Sequence, residues 1–160
     1  MRMMFPLLAV LTLNAYADFS DDHVPDRPDI LAKLIASAQA SGEPLASSTS
    51  ESGAYYLRSA EYIGSCDASF GRVHVAQLFY IRSAAKGTKL PSRGQSYIVF
   101  FDAALQVRSH WYLDMPRSGF VFEGTKFLLG QKELFDFANP PKRPSVIVDG
   151  KSQTIPIWSR

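Results

Sequence analysis

Cys66, His74 and Asp102 are the residues of this sequence that could do nucleophilic chemistry if the fold brought them together. A thiolate attacks, an imidazole takes its proton and a carboxylate orients the ring, the division of labour in cysteine hydrolases and transferases. All three are common residue types and none has a flanking signature, so the grouping depends on topology alone. Cys66 is the only cysteine in the chain. An intramolecular disulfide is therefore excluded, and a small buried side chain is the simpler use of the thiol.

A second group is basic: Arg82, Lys86, Lys89, Arg93, Arg108 and His110. The glycine-containing loop Ala84 to Gln95 offers backbone amides beside these charges. Such a setting can hold a phosphate, carboxylate or sulfated group through charge-assisted hydrogen bonds. Tyr97, Trp111 and Tyr112 add aromatic surface nearby. A solvated, charged loop end accounts for the same residues without a ligand, and both readings stay open at this level. Lys86-Gly87-Thr88-Lys89 is not a phosphate-binding loop of the nucleotide-hydrolase type, because it lacks the upstream glycine and does not lead from a strand into a helix.

Metal chemistry is not expected. Strand matching sets His74 and His110 about eight residues apart in level, about 25 Å at the usual rise, and His23 in a loose N-terminal arm is a poor third ligand. No cofactor is expected either.

These side chains must be positioned by the elements around them. The stretch Ser96 to Leu113 holds two apolar runs about Asp102-Ala103-Ala104-Leu105, and Asp at the first position of a tight turn can bond the backbone two residues on. It reads as a central β-hairpin with both faces of its first strand covered. In its second strand Val107, Trp111 and Leu113 should face the core, with Arg108, His110 and Tyr112 opposite. Arg72 to Ser83 reads as a long strand, making a meander with that hairpin. On this matching Arg82 lies near Tyr97 and His110, and His74 lies near the Asp102 turn. Strand pattern also runs from Tyr55 to about Ile63, with Gly64 to Ser69 as its turn.

Further on, Phe120 to Phe122 and Lys126 to Leu129 form a short hairpin, Gln131 to Ala138 is ambiguous between helical turn and strand, and Asn139 to Pro144 is neither. Val146 to Val148 and Thr154 to Trp158 flank Asp149-Gly150, the strongest short hairpin signal here, with Pro156 marking an edge strand. Upstream, Ile30, Leu31, Leu34, Ile35 and Ala38 recur at helical spacing. Asp26 and Pro28 precede that run, and Gly42 and Pro44 follow it. One amphipathic helix over about Asp29 to Ser41 should cover a face of the sheet, and Ser47 to Gly53 reads as an exposed linker.

The first residues carry a separate signal. Met1-Arg2, an apolar run from Phe5 to Leu13 and Asn14-Ala15-Tyr16-Ala17 are the parts of a secretory signal peptide, with cleavage expected after Ala17. The run is about half the roughly 20 residues a membrane span requires, so no stable span is expected in the mature chain. Of 160 residues, about 140 remain, enough for one ordinary domain. The formal charge of +2 falls to about +1 with the loss of Arg2, which gives little counterion release and argues against nucleic acid.

The chain thus divides into a signal peptide (1–17), an arm, helix and Ser-rich linker (18–53), and an antiparallel β region (54–160). The expected fold is α+β, a meander of hairpins or a half-open barrel with one N-terminal helix packed on it. The expected role is an exported, periplasmic or secreted, non-catalytic domain that binds an anionic small molecule or an envelope protein through its basic, aromatic end. A cysteine-dependent enzyme and a structural assembly protein are the alternatives.

Overall fold

The computed structural model describes residues 27–50, 53–84, 93–139, 145–148 and 151–154. The predicted signal peptide and arm, the loop carrying Lys86 and Lys89, and the Ile155 to Trp158 run with Pro156 lie outside the described residues.

Helix α1 spans Pro28–Ala40. Proline in the first turn carries its fixed φ at no hydrogen-bond cost, and Asp29 there complements the helix dipole. The backbone N–H of Ser41 closes the last turn on Ser37 and Ala38, after which Gly42 at φ +86° takes the left-handed position that ends helices. Leu34 and Ala38 are fully buried, and Leu45, on the segment leaving the helix, joins them. Fully burying a leucine is worth about 1.5–3 kcal/mol, so these few side chains suffice to dock the helix.

The principal sheet is antiparallel, in the order β1 (Ser48–Ser50), β2 (Gly53–Ala68), β3 (Gly71–Ala84), β4 (Arg93–Phe101) and β5 (Val107–Leu113). It is a five-stranded half-barrel, and with helix α1 it gives the α+β class expected. A second sheet joins β6 (Phe120–Glu123), β7 (Lys126–Leu129) and β8 (Lys132–Asp136), and β9 (Ser145–Val148) pairs with β10 (Lys151–Thr154).

The principal sheet is buried on both sides, which explains why β3 and β4 read as continuous apolar runs. One face, here the helix face, packs Ala76, Leu78, Tyr80, Tyr97, Val99 and Phe101 against Leu34, Ala38 and Leu45. The far face packs Val73, Val75, Ile98, Phe100, Trp111 and Leu113 against Phe120, Phe127 and Phe135 of the second sheet. Gly64 permits that approach: a Cβ there would lie 3.1 Å from Phe122 Cδ2, and its φ of +148° suits glycine.

Several sequence expectations are corrected. The Ser47 to Gly53 linker contains edge strand β1, whose Ser/Thr composition has no apolar alternation to reveal it. Gly64 to Ser69 is not the turn, because β2 runs to Ala68 through bulges at Leu57/Ser59 and Tyr62/Gly64 that break its alternation. Val107 belongs to the helix face and not with Trp111, because a bulge at Phe100/Phe101 shifts the register. The ambiguous stretch near Gln131 is a strand.

Candidate functional site

The sheet separates the members of the nucleophilic group. Cys66 is in register with Val73 and lies in the far-face core, where burial pushes its thiol up to about 11. His74 pairs with Ser65 on the opposite face, and its Nδ1 lies 3.1 Å from the Tyr62 hydroxyl. Asp102 does sit at the turn near His74, but its carboxylate is committed elsewhere. Oδ1 accepts the backbone N–H groups of Ala104 and Gln106, both at 2.9 Å, and Oδ2 accepts Arg108 Nε at 2.6 Å. Burial raises the carboxyl of Asp102, but the Gln106 amide and the Arg108 guanidinium outweigh it and hold it below the usual carboxylate range. Cys66, His74 and Asp102 are therefore not assembled. The low-pKa, accessible setting that activates a cysteine is missing at Cys66.

The basic group also divides. Arg108 is at the β4–β5 turn, paired with Asp102, away from Arg82. His110 lies opposite Val99, and Val99 opposite Ala76, so it stands in mid-sheet and half buried, edge-on to Tyr97 at 5.7 Å. His74 and His110 are thus about two strands and two residues apart, about 12 Å and not the 25 Å expected. Tyr97 faces Leu78 and not Arg82, because β4 begins at Arg93 and not at Ser96.

Arg82 and Arg93 remain together. They are direct cross-strand partners on the helix face, and the row extends through Tyr55 to Ser48 on the edge strand. Directly opposed side chains have Cβ atoms about 4.5–5.5 Å apart, and like charges so placed repel. Neither guanidinium has an ion pair among the described residues.

A cleft of about 220 Å³ opens at this end of the sheet, lined by Glu43, Pro44, Ser48, Gly53, Ala54, Tyr55, Arg82 and Gln95. Its aromatic wall is fixed from behind. Tyr55 stacks on Tyr80 at 4.9 Å between ring centroids, and Tyr80 meets Tyr97 edge-on at 5.9 Å. The Tyr80 hydroxyl donates to the Leu45 carbonyl at 2.5 Å and accepts from Gln39 Nε2 at 3.3 Å, tying the helix and the following segment to the cleft. Gln39 Oε1 accepts the Ser47 amide at 2.7 Å, which holds the approach to β1.

The Tyr55 hydroxyl is buried and has no hydrogen-bond partner among the described residues. Burial raises its pKa, and the neighbouring Tyr97 hydroxyl adds to the shift without completing a hydrogen bond. An unpaired buried hydroxyl costs about 1–3 kcal/mol, so this corner of the fold is not optimised for stability alone.

No known family, curated protein or solved structure matches the chain. The geometry therefore stands by itself. Arg82 lines the cleft and Arg93 flanks it as the cross-strand partner of Arg82, neither with an ion pair among the described residues. With the Tyr55 wall and the polar side chains Ser48 and Gln95, they can hold a planar or tetrahedral oxyanion by forked, charge-assisted hydrogen bonds. Arg82 and Arg93 were legible in the sequence. Glu43, Ser48, Tyr55 and Gln95 were not: Ser48 meets Tyr55 through an edge strand that leaves no periodic pattern, Glu43 sits in the turn after α1, and Gln95 lies in a β4 that begins earlier than its apolar run.

Proposed function

We propose that this chain is an exported binding domain, not an enzyme, and that the Arg82–Arg93 end of its principal sheet takes an anionic group. The in-register arginine pair carries this reading. Evolution toward stability alone would place an acid opposite one of these arginines, whereas an anionic ligand would relieve the repulsion on binding. The volume of the cleft sets the scale: at about 30 Å³ per water it holds roughly seven water-sized volumes, below the 300–1,000 Å³ of drug-sized pockets. That favours a small molecule, or one charged end group of a larger envelope component, over a broad protein face.

Titration calorimetry with sulfate, phosphate and propionate against the mature chain tests the reading. Saturable binding of at least one of these anions is expected, weakened about tenfold or more when Arg82→Gln and Arg93→Gln are combined, since each charge-assisted contact is worth about 1.5–3 kcal/mol. Equal affinities in the double variant would overturn it. The export element is supported by the residue pattern at Met1 to Ala17 and is tested by N-terminal sequencing of protein recovered outside the cytoplasm. A mature chain starting at Asp18 is expected, and a retained Met1 there contradicts it.

A further inference from the structure

We infer that the ligand of this cleft is a small zwitterion, its anionic group on Arg82 at the side flanked by Arg93 and its cationic group on Glu43. The inference rests on the anion-binding reading above and adds the second charge.

Glu43 lines the same cleft as Arg82, yet no ion pair joins them. Opposite charges that share a concave wall usually close on one another where their side chains can meet. Here they stand apart with Pro44, Ala54 and the Tyr55 ring contributing apolar surface to the same wall. A molecule carrying a carboxylate at one end, an ammonium at the other and a short hydrocarbon between them complements all three features at once.

The backbone fixes the points from which the two exposed side chains extend. Glu43 sits on the segment between Gly42 and Leu45, where the N–H groups of Leu45 and Ala46 donate to the Gly42 carbonyl at 2.9 and 3.0 Å. Leu45 is in turn buried under the helix and accepts the Tyr80 hydroxyl. Arg82 is carried by the central strand β3, and Tyr55 beside it is stacked on Tyr80. The carboxylate and the guanidinium are thus both referred to Tyr80, one through its hydroxyl and one through its ring stack and strand. A site so referenced discriminates by the distance between the charges of its ligand, because end groups at the wrong separation satisfy only one side.

The test uses two matched series on the mature chain: acetate, propionate and butyrate, and their amino counterparts glycine, β-alanine and γ-aminobutyrate. One zwitterion should bind about tenfold tighter than its matching simple acid, the equivalent of one further charge-assisted contact. Glu43→Gln should erase that advantage by weakening the zwitterions, while the simple acids, relieved of a like charge in the same cleft, bind no less tightly than to the wild type. If every simple acid binds as well as its amino counterpart, the second charge is not recognised and the zwitterion inference falls while anion binding stands. If an advantage exists but survives Glu43→Gln, the assignment of Glu43 is overturned. If no member of either series binds and sulfate and phosphate are also silent, the anion-binding reading fails with it.

Discussion

Arg82 and Arg93 face each other across β3 and β4 with no ion pair to either among the described residues. A like-charge cross-strand pair costs a few tenths of a kcal/mol to about 1 kcal/mol. Converting one member to an acid should reverse that sign. Arg93→Glu is therefore expected to raise the unfolding free energy by about 0.5–1 kcal/mol in low salt while abolishing anion binding, measured by urea denaturation beside calorimetry. A stabilised variant that still binds anions would separate the pair from the site.

His74 should impose an acid limit on stability. Burial lowers its pKa from the ordinary 6.5, with the nearby Arg72 acting in the same direction. Well above pH 6.5 the ring is neutral in both folded and unfolded chains and contributes no pH dependence. Below it the unfolded chain binds a proton that the folded chain refuses, so stability falls with pH until the lowered folded value is reached, at no more than about 1.4 kcal/mol per pH unit. His110, lowered by burial, acts with the same sign. His74→Phe is expected to flatten the slope between pH 6.5 and 5 relative to wild type, and an unchanged slope there would show that His74 does not titrate in that window.

Asp102 orders the β4–β5 turn by accepting two backbone amides and Arg108, and Leu105 within that turn sits at φ +61°. Asp102→Ala should cost about 2 kcal/mol in urea unfolding, the size of a hydrogen-bond set to a charged group. Because the folded carboxyl lies below its ordinary value, this stabilisation is present above pH about 4 and is lost as pH falls through the folded pKa. The variant and wild type should therefore converge in stability at strongly acid pH.

Two glycines mark close approaches, Gly94 to Phe79 on the neighbouring strand of the same sheet and Gly64 to Phe122 of the second sheet. A Cβ on Gly94 would lie 2.6 Å from Phe79 Cε2, and one on Gly64 would lie 3.1 Å from Phe122 Cδ2. Alanine at either should cost about 1–3 kcal/mol by overpacking. Phe79→Ala should relieve the Gly94→Ala penalty in a double-mutant cycle, whereas purely additive energies would place its cause in the strand backbone.

The buried, pKa-raised Cys66 should react with a thiol probe only on unfolding. Rapid modification of the native chain would contradict its placement in the far-face core.

What the sequence disclosed follows from which signals are local. Helix α1 was legible from its 3.6-residue apolar spacing with proline at its start and glycine at its end, and the Asp102 turn from its own side-chain chemistry. A hairpin about Asp149-Gly150 was legible, but its second strand is Lys151–Thr154 and not the expected Thr154 to Trp158, because the polar Lys151-Ser152-Gln153 carries no apolar strand pattern. Register was not: the β2–β3 pairing closes at Ala68 and Gly71, which sets Cys66 opposite Val73 and so on the face away from His74; Arg108 follows the Asp102 turn, at the other end of the sheet from Arg82; and the bulge at Phe100/Phe101 turns Val107 to the helix face. Ser48 and Tyr55 entered the candidate site only through a pairing that a polar edge strand does not announce, and Glu43 through the turn that follows α1.

The arginine side-chain Nε–H resonances during a propionate titration of the mature chain test anion recognition by the Arg82–Arg93 pair most directly. Arg82 and Arg93 should shift together along one saturating curve, while Arg58, exposed at the β2 bulge, should change only slightly and linearly. Shifts at Arg82 and Arg93 no larger than at Arg58, with no saturation, would contradict the account.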